Sequence, residues 1–249
     1  MRYGIALFRS ILFWIFFAII SLIASLGGII FMKPVPRIGH AFITFWSWSH
    51  RIMCRFILGH KIRIIGDMPN APILYVFKHE SAFETVEQPY LFDHPAVFAK
   101  RELFDIPLWG TAATLYGLIP VDREGGSKAM RAMLSAAKAA LAQGRPLCLF
   151  AEGTRVPHGE APPLRAGFAG IYRMLNIPVT PVAIDSSAAY PSNRWVKWPG
   201  TITYLVGETI PAGLDRAEAE ERVWRAINAL NPPSALERSS LAQGAPNAP

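Results

Sequence analysis

The chain has 249 residues, of which 51% are hydrophobic and only 17% charged, and its formal net charge is +7. Soluble globular proteins usually have about a quarter of their residues charged, so part of this chain is expected to lie in lipid. The length suits one catalytic domain with an anchor and argues against two full domains. The positive charge suits an anionic membrane or a phosphate-bearing substrate. No nucleic-acid partner is expected, because the basic residues form no run and match no zinc-finger or RNP pattern.

The first long apolar run predicts a membrane anchor. Residues 11–32 contain no charged side chain, and as a helix they would be roughly 33 Å long, enough to cross a hydrocarbon core of about 30 Å. Pro34 and Pro36 are expected to end this helix. A cleaved signal peptide is the alternative, but the run is too long and no small-x-small cleavage site precedes Lys33. A helix that spans the bilayer and one that lies in a single leaflet are both compatible with this run.

Residues 38–59 predict a second, amphipathic helix at the membrane interface, so that the anchor would occupy residues 1–59. Rings would lie at headgroup depth with arginines facing lipid phosphates, although an ordinary surface helix packed on the domain is the alternative. Positive charge is denser after the apolar run than before it, which predicts that the rest of the chain lies on the cytoplasmic side. The side chains that define the pattern are Phe42, Phe45, Trp46, Trp48, His50, Arg51 and Arg55.

From residue 60 to residue 230, short apolar runs alternate with helical patterns, which predicts an α/β domain with a mixed, partly parallel sheet flanked by helices. The last residues, 231–249, are rich in Pro, Ser, Ala and Gly and predict a mobile tail. The predicted strands are 73–77, 96–99, 147–151, 179–184 and 202–206, and the predicted helices are 127–143, which would begin at a Ser127 cap, 167–175 and 215–230.

His79 and Glu84 are the first candidate catalytic residues. A histidine directly after a buried strand lies at the rim of the sheet, where a general base could work and a carboxylate could orient it. Five residues is not a same-face spacing on a helix, so the two side chains can meet only if His79 precedes the helix. Alternatively, Glu84 completes a capping box with Ser81, and both arrangements can coexist.

A second polar segment, Glu152, Gly153, Thr154 and Arg155, follows another predicted strand. Glycine permits a tight turn, threonine donates a hydrogen bond, and arginine offers a planar fork for phosphate, although a turn with a surface salt bridge fits equally well. Between the two segments, Gly117 is followed six residues later by Arg123.

In this order the segments resemble the glycerophospholipid acyltransferase family over roughly residues 60–210. The family's His-x4-Asp motif is matched with Glu84 in place of Asp, and its Phe-Pro-Glu-Gly-Thr-Arg motif with Ala151 in place of Pro. Gly117 and Arg123 match its Gly-x5-Arg motif, Pro181 matches the apolar fourth motif, and Lys100 lies in a similar basic segment.

The resemblance implies transfer of a fatty acyl group from acyl-CoA or acyl-carrier protein to the sn-2 hydroxyl of 1-acylglycerol 3-phosphate, beside membrane lipids. His79 would be the base and Glu84 would orient it. Glycerol 3-phosphate or a lyso-ornithine lipid is an alternative acceptor, and an inactive lipid-binding protein of the same fold is the non-enzymatic alternative. The residues implied to hold the acceptor are Lys100, Gly117, Arg123, Glu152, Gly153, Thr154 and Arg155.

The two cysteines carry little of the predicted chemistry. Cys54 and Cys148 do not form a CxxC pair, so neither a disulfide framework nor a zinc site is expected. Cys148 is a conceivable acyl nucleophile, but it lies within an apolar strand, where cysteines are usually inert. No metal-ligand cluster is visible in the sequence, and no cofactor is expected.

Overall fold

The computed structural model describes residues 1–235; the predicted tail beyond residue 235 lies outside the described residues. The helices are α1 (Arg2–Phe31), α2 (Pro36–Met53), α3 (Phe83–Val86), α4 (Gln88–Leu91), α5 (Trp109–Tyr116), α6 (Gly126–Ala142), α7 (Ala166–Leu175) and α8 (Arg216–Ile227). The strands are β1 (His60–Ile65), β2 (Leu74–Phe77), β3 (Ala96–Lys100), β4 (Ile119–Val121), β5 (Leu147–Leu149), β6 (Val179–Ile184) and β7 (Gly200–Val206).

Within residues 1–235, seven strands form one sheet in the order β1-β7-β6-β2-β5-β3-β4. Neighbouring strands are parallel except β6 and β7, which are antiparallel. The predicted α/β fold with a partly parallel sheet is therefore confirmed. Because β2 to β6 run in the same direction, their carboxyl ends meet at one side of the sheet, which we call the carboxyl edge.

Helices cover both faces of the sheet, and the central strand β2 shows why. All four of its residues are buried. Successive side chains point to opposite faces of a strand: Leu74 and Val76 pack with the helices α6, α7 and α8. Tyr75 and Phe77 pack on the other side, with Phe13 of α1. A strand apolar at every position is typical of a parallel sheet buried on both faces.

The apolar helix is longer than predicted and lies against the domain. It begins at Arg2 rather than at residue 11. The charged Arg9 is accommodated within the helix, because its guanidinium donates to the carbonyl of Ile57. One side of α1 packs on α2, α5 and the turn before β1. Its exposed side, the outer face of α1, consists of Phe8, Ile11, Ile15, Phe16, Ile19, Leu22, Ile23, Leu26 and Ile30.

The second helix differs from its prediction at both ends. Pro36 starts α2 instead of only ending α1, as proline is tolerated in a first helical turn. A single π-helical turn, Cys54–Leu58, follows α2, and Gly59 then ends it with a φ of 80°. Trp48 is exposed while His50 is fully buried. The helix therefore has a side packed on the domain and an exposed side that carries Trp48, and its location at a membrane interface stays a prediction.

Three further boundaries differ from the sequence analysis. Ser127 does not cap α6: the helix starts at Gly126, after a turn in which Asp122 Oδ1 accepts the backbone N–H groups of Glu124 and Gly125. Helix α8 ends at Ile227 rather than at residue 230. The predicted tail is wrong for its first residues, because Asn231 is buried and its side chain bonds the backbone of residues 159 and 160.

Gly27 sets how closely α1 and α2 pack. A Cβ at Gly27 would lie 2.4 Å from the ring of Phe42, whereas a Cβ at Gly4 would meet nothing within 4 Å. Alanine gains about 1 kcal/mol of helix propensity at either position, but overpacking at Gly27 costs about 1–3 kcal/mol. We therefore expect Gly27→Ala to melt below Gly4→Ala in detergent, as measured by circular dichroism. Equal shifts in the two variants would contradict the close contact of the helices.

Candidate active site

The carboxyl edge gathers most of the predicted site residues. His79 follows β2, Lys100 ends β3, and Arg123 lies just beyond β4. The segment from Glu152 to Arg155 follows β5, which lies between β2 and β3 in the sheet. Parallel pairing of the strands thus brings His79 and Arg155 to the same edge of the sheet, although they are 76 positions apart in the chain.

His79 and Glu84 form a hydrogen-bonded pair. His79 Nδ1 lies 3.0 Å from Glu84 Oε1. The histidine side chain is 14% exposed and the glutamate side chain is fully buried. The pair meets as expected, because His79 lies in the turn before α3 and Glu84 in the first turn of that helix. A partly exposed imidazole held by a buried carboxylate is an arrangement suited to a general base.

The Glu84 carboxylate accepts hydrogen bonds on both oxygens. Besides His79, its Oε1 accepts the backbone N–H groups of Glu80 and Ser81 at 2.7 and 2.6 Å. Its Oε2 accepts the hydroxyls of Ser81 and Ser186 at 2.8 and 2.9 Å. Burial raises the pKa of Glu84, but the hydrogen bonds from His79 and Ser81 outweigh it and leave this pKa below its ordinary value. The carboxyl is therefore ionised at neutral pH, and it caps the turn and holds the histidine at once.

The backbone of His79 is fixed on both sides by the segment after β5. Its N–H donates to Glu152 Oε2 at 2.9 Å, and its carbonyl accepts the N–H of Val156 at 2.7 Å. The imidazole packs on the ring of Phe150, with 4.5 Å between centroids. The segment from Phe150 to Val156, which contains the Phe-Pro-Glu-Gly-Thr-Arg motif, therefore holds the turn that carries His79.

Glu152 is oriented into the protein rather than toward a substrate. Its Oε1 pairs with Lys78 Nζ at 2.5 Å, and both side chains are buried. Lys78 also donates to the Glu160 carbonyl and to Asn228 Oδ1, each at 2.9 Å. Burial raises the pKa of Glu152, while the Lys78 ammonium acts against the rise. Because protein donors use both carboxylate oxygens, Glu152 supports the His79 turn, and direct contact with an acceptor stays only a prediction.

Arginines surround Gly153. The φ of Gly153 is 69°, and a Cβ there would lie 3.1 Å from both Arg123 Nη2 and Arg165 Cγ. The Arg123 guanidinium donates to the Gly153 carbonyl, so the Gly-x5-Arg motif contacts the Phe-Pro-Glu-Gly-Thr-Arg motif. Thr154 and Arg155 are exposed beside them. This cluster of exposed cationic side chains suits a phosphate group.

Two predicted residues lie elsewhere or are already paired. Lys100 is about half exposed and forms an ion pair of 2.9 Å with Glu102. Gly117 precedes β4 and therefore lies at the opposite edge of the sheet from Arg123. There it ends α5 with a φ of 85° and its carbonyl accepts a hydrogen bond from Arg145. The glycine is therefore needed for the helix end, and a role of Gly117 in holding a substrate stays a prediction.

Sequence reasoning missed several supporting residues. Beside His79, Glu80 is buried and bridges His158 Nδ1 and the Ser187 backbone N–H, each at 2.9 Å. Burial raises the pKa of Glu80, and its bond from Ser187 acts against the rise. No spacing in the sequence relates these residues, since Glu80 meets partners 78 and 107 positions away. In the described part of the chain, no group of three or more His, Cys, Asp or Glu side chains could hold a metal ion.

Comparison with known proteins shows which family and fold the chain shares. The family model described as Acyltransferase matches residues 60–185. The chain is 27% identical over 232 residues to a 1-acyl-sn-glycerol-3-phosphate acyltransferase of Pseudomonas aeruginosa, covering 90% of this chain and 86% of that one. A protein of the same name from Helicobacter pylori is 34% identical over 137 residues, covering 54% and 57%. The crystal structure of the 1-acyl-sn-glycerophosphate acyltransferase from Thermotoga maritima shares the fold, with a TM-score of 0.70 and 18% identity over the whole of both chains.

The fold and the comparisons thus define an α/β enzyme that carries, at the carboxyl edge of its sheet, a histidine–carboxylate pair and a cluster of exposed arginines. The chain belongs to the Acyltransferase family, whose model covers half of it.

The Lys78–Glu152 pair gives a stability prediction with a pH dependence. Lys78→Met leaves Glu152 buried without its cation, which costs about 3–5 kcal/mol at neutral pH. Losing Lys78 raises the folded-state pKa of Glu152 further above its unfolded value, so the deficit should shrink as the pH falls and the carboxyl protonates. Urea unfolding in detergent at several pH values measures the difference in free energy of unfolding between the variant and wild type. The double variant Lys78→Met/Glu152→Gln should recover part of the lost stability at neutral pH. A deficit that does not change with pH would contradict this account.

A substitution at Gly117 distinguishes a role of this residue in protein stability from a role in substrate binding. Alanine there would have to adopt a φ of 85°, with its Cβ 2.7 Å from Arg145 Nη1. Gly117→Ala should therefore lower the free energy of unfolding by about 1–3 kcal/mol and leave the KM for the acyl acceptor unchanged below the new melting point. A raised KM without a loss of stability would place Gly117 in the binding site.

Proposed function

We propose that the protein transfers a fatty acyl group from a thioester donor to the sn-2 hydroxyl of 1-acylglycerol 3-phosphate, forming phosphatidic acid in phospholipid biosynthesis. The observation that carries the proposal is the 3.0 Å contact between His79 Nδ1 and Glu84 Oε1, in a histidine that keeps part of its ring exposed. The names of the relatives from Pseudomonas aeruginosa and Helicobacter pylori favour this acceptor. The donor is acyl-CoA or acyl-carrier protein, and both carry the same thioester.

The mechanism follows from which ring nitrogen of His79 carries the proton. Because Nδ1 faces an ionised carboxylate, Nδ1 carries the proton and Nε2 is the basic atom. His79 Nε2 takes the proton of the acceptor hydroxyl, whose oxygen attacks the thioester carbonyl carbon. The carbon–sulfur bond then breaks, and the imidazolium returns the proton to the thiolate that leaves. Glu84 stabilises the imidazolium between these steps, and the reaction requires no cofactor.

The cationic side chains beside Gly153 give the acceptor its place. A glycerol phosphate carries its negative charge on phosphate oxygens three bonds from the nearest glycerol carbon, and arginine forks bind such oxygens in pairs. Arg123 and Arg155, with Thr154, are the residues proposed to hold that phosphate, and Arg165 joins them through its contact with Gly153. Lys100 supplies a further cation at the carboxyl edge.

A covalent acyl-enzyme is not part of this mechanism. Cys54 and Cys148 are both fully buried. Burial raises the pKa of each thiol well above its ordinary value, so neither forms the thiolate that attacks a thioester. The acyl group therefore passes directly from donor to acceptor.

The outer face of α1 supports a membrane location for the enzyme. This face is apolar along a helix of 30 residues that is long and apolar enough to cross a bilayer. Its other side packs on the domain: Ser10 Oγ accepts the N–H of Lys197 and Trp14 donates to the carbonyl of Trp195. Such lateral packing favours a helix that lies in one leaflet with its outer face in lipid. The cytoplasmic side remains the side that the charge distribution predicts.

The dyad gives the central test. Replacing His79 with alanine should lower kcat by about 10²–10⁴-fold, because a positioned general base typically contributes that much. Acyl transfer to 1-acylglycerol 3-phosphate is measured by mass spectrometry of the lipid product, with the variant shown to remain in the membrane fraction. Turnover at the wild-type rate in the purified variant would overturn the role of His79.

Glu84 supplies the matched comparison. Glu84→Gln keeps the size of the side chain but removes its charge and one acceptor, so kcat should fall with little change in KM.

The same assay with glycerol 3-phosphate and lyso-ornithine lipid as acceptors tests the identity of the acceptor separately. A faster rate with either compound would make that compound the preferred acceptor.

A further inference from the structure

An apolar segment on the surface lies outside the site described above. Residues 101–108, which we call the β3–α5 loop, join the carboxyl edge to α5. Three of its large apolar side chains are exposed, Leu103 by 39%, Ile106 by 45% and Leu108 by 40%. The helical turn Arg101–Asp105 within it buries no residue. Water-exposed loops are normally polar, so a loop with this many exposed apolar side chains indicates a contact surface.

The loop is held in one shape. A Cβ at Gly110 would lie 2.0 Å from the carbonyl oxygen of Phe104, so the loop folds closely back onto the start of α5. Arg101 pairs with Asp105 at 3.0 Å. Leu108 has a φ of 62°, a conformation that leucine rarely adopts. The exposed leucine and isoleucine side chains are thus presented by a folded segment.

The loop is continuous with the surface of the anchor. Helix α5 follows the loop directly and packs on α1. The contact lies at the carboxyl half of α1, where a Cβ on Gly28 would be 3.7 Å from the Cβ of Ala112. Leu26 and Ile30, on the outer face of α1, are exposed in the same part of that helix.

We propose that the β3–α5 loop inserts into the same phospholipid leaflet as the outer face of α1. This inference rests on the proposed function, in which α1 lies in a membrane. Charged residues 100–102 and 105 pair with one another and can lie at headgroup depth, while the apolar run 106–109 enters the acyl region. Because the loop follows Lys100 at the carboxyl edge, its insertion fixes the height of the active site above the lipid.

A thiol label reads the depth of the loop directly. Cys54 and Cys148 are buried, so an environment-sensitive thiol fluorophore reacts selectively at Ile106→Cys. The matched control is Met174→Cys, since Met174 is 56% exposed on α7, across the sheet from α1. In vesicles of phosphatidylethanolamine and phosphatidylglycerol with brominated chains, we expect a blue shift and strong quenching at position 106 only. Equal responses at the two positions, or shielding at position 106 by acyl-carrier protein but not by vesicles, would overturn the proposal.

An activity assay tests the consequence for the reaction. Ile106→Asp should slow acyl transfer to vesicle-embedded 1-acylglycerol 3-phosphate by roughly tenfold and leave the rate on a short-chain, water-soluble acceptor unchanged. Met174→Asp should leave both rates unchanged. Equal rates of Ile106→Asp and wild type on the embedded acceptor would overturn the role of the loop. A wild-type protein that binds vesicles but transfers no acyl group would refute the proposed function, while the label would still decide where the loop lies.

Discussion

The buried Glu84 carboxylate is the group on which the rest of the site depends. It is fully buried yet ionised, because it accepts hydrogen bonds from two backbone N–H groups, two serine hydroxyls and His79. A buried charge is costly unless it is satisfied in this way. The donors come from the turn after β2 and from the end of β6, so the charge also ties two neighbouring strand ends together. Glutamate serves here in place of the aspartate of the His-x4-Asp motif that the sequence resembles, since its carboxylate reaches back over the turn that it caps.

The site is built in layers around that turn. Glu84 holds the imidazole, Glu152 and Val156 hold the peptide on either side of it, and Lys78 neutralises Glu152. Lys78 in turn contacts Asn228 at the end of α8. The histidine therefore has few positions open to it, and a base pre-positioned in this way loses less free energy to reorganisation when the acceptor arrives. The arginines beside this turn, Arg123, Arg155 and Arg165, are exposed instead, and Arg123 donates to the Gly153 carbonyl.

Sequence reasoning succeeded where a pattern is local. The strand 179–184 was predicted to the residue, because this mainly apolar run lies between Pro178 and Asp185, and the meeting of His79 and Glu84 followed from their position after a strand. It failed where the cause lies far away in the chain. The motif that contains Gly117 does not reveal that its φ and its contact with Arg145 serve the helix end. Lys78, Ser186 and His158 carry no local signal, since their partners are 74 to 102 positions distant.

The anchor and the site form one structure rather than two joined parts. Ser47 of α2 donates to the Val86 carbonyl, and Arg51 pairs with the buried Glu87 at 2.7 Å. Val86 is the last residue of α3, two positions after Glu84, and Glu87 follows it, so the helix with the exposed Trp48 holds the helix that carries the Glu84 carboxylate. A lysophospholipid keeps its acyl chain in the bilayer and offers its headgroup at the surface. The contacts of α2 with Val86 and Glu87 hold the proposed base at a fixed distance from the helix with the exposed Trp48, as the proposed reaction on such a substrate requires.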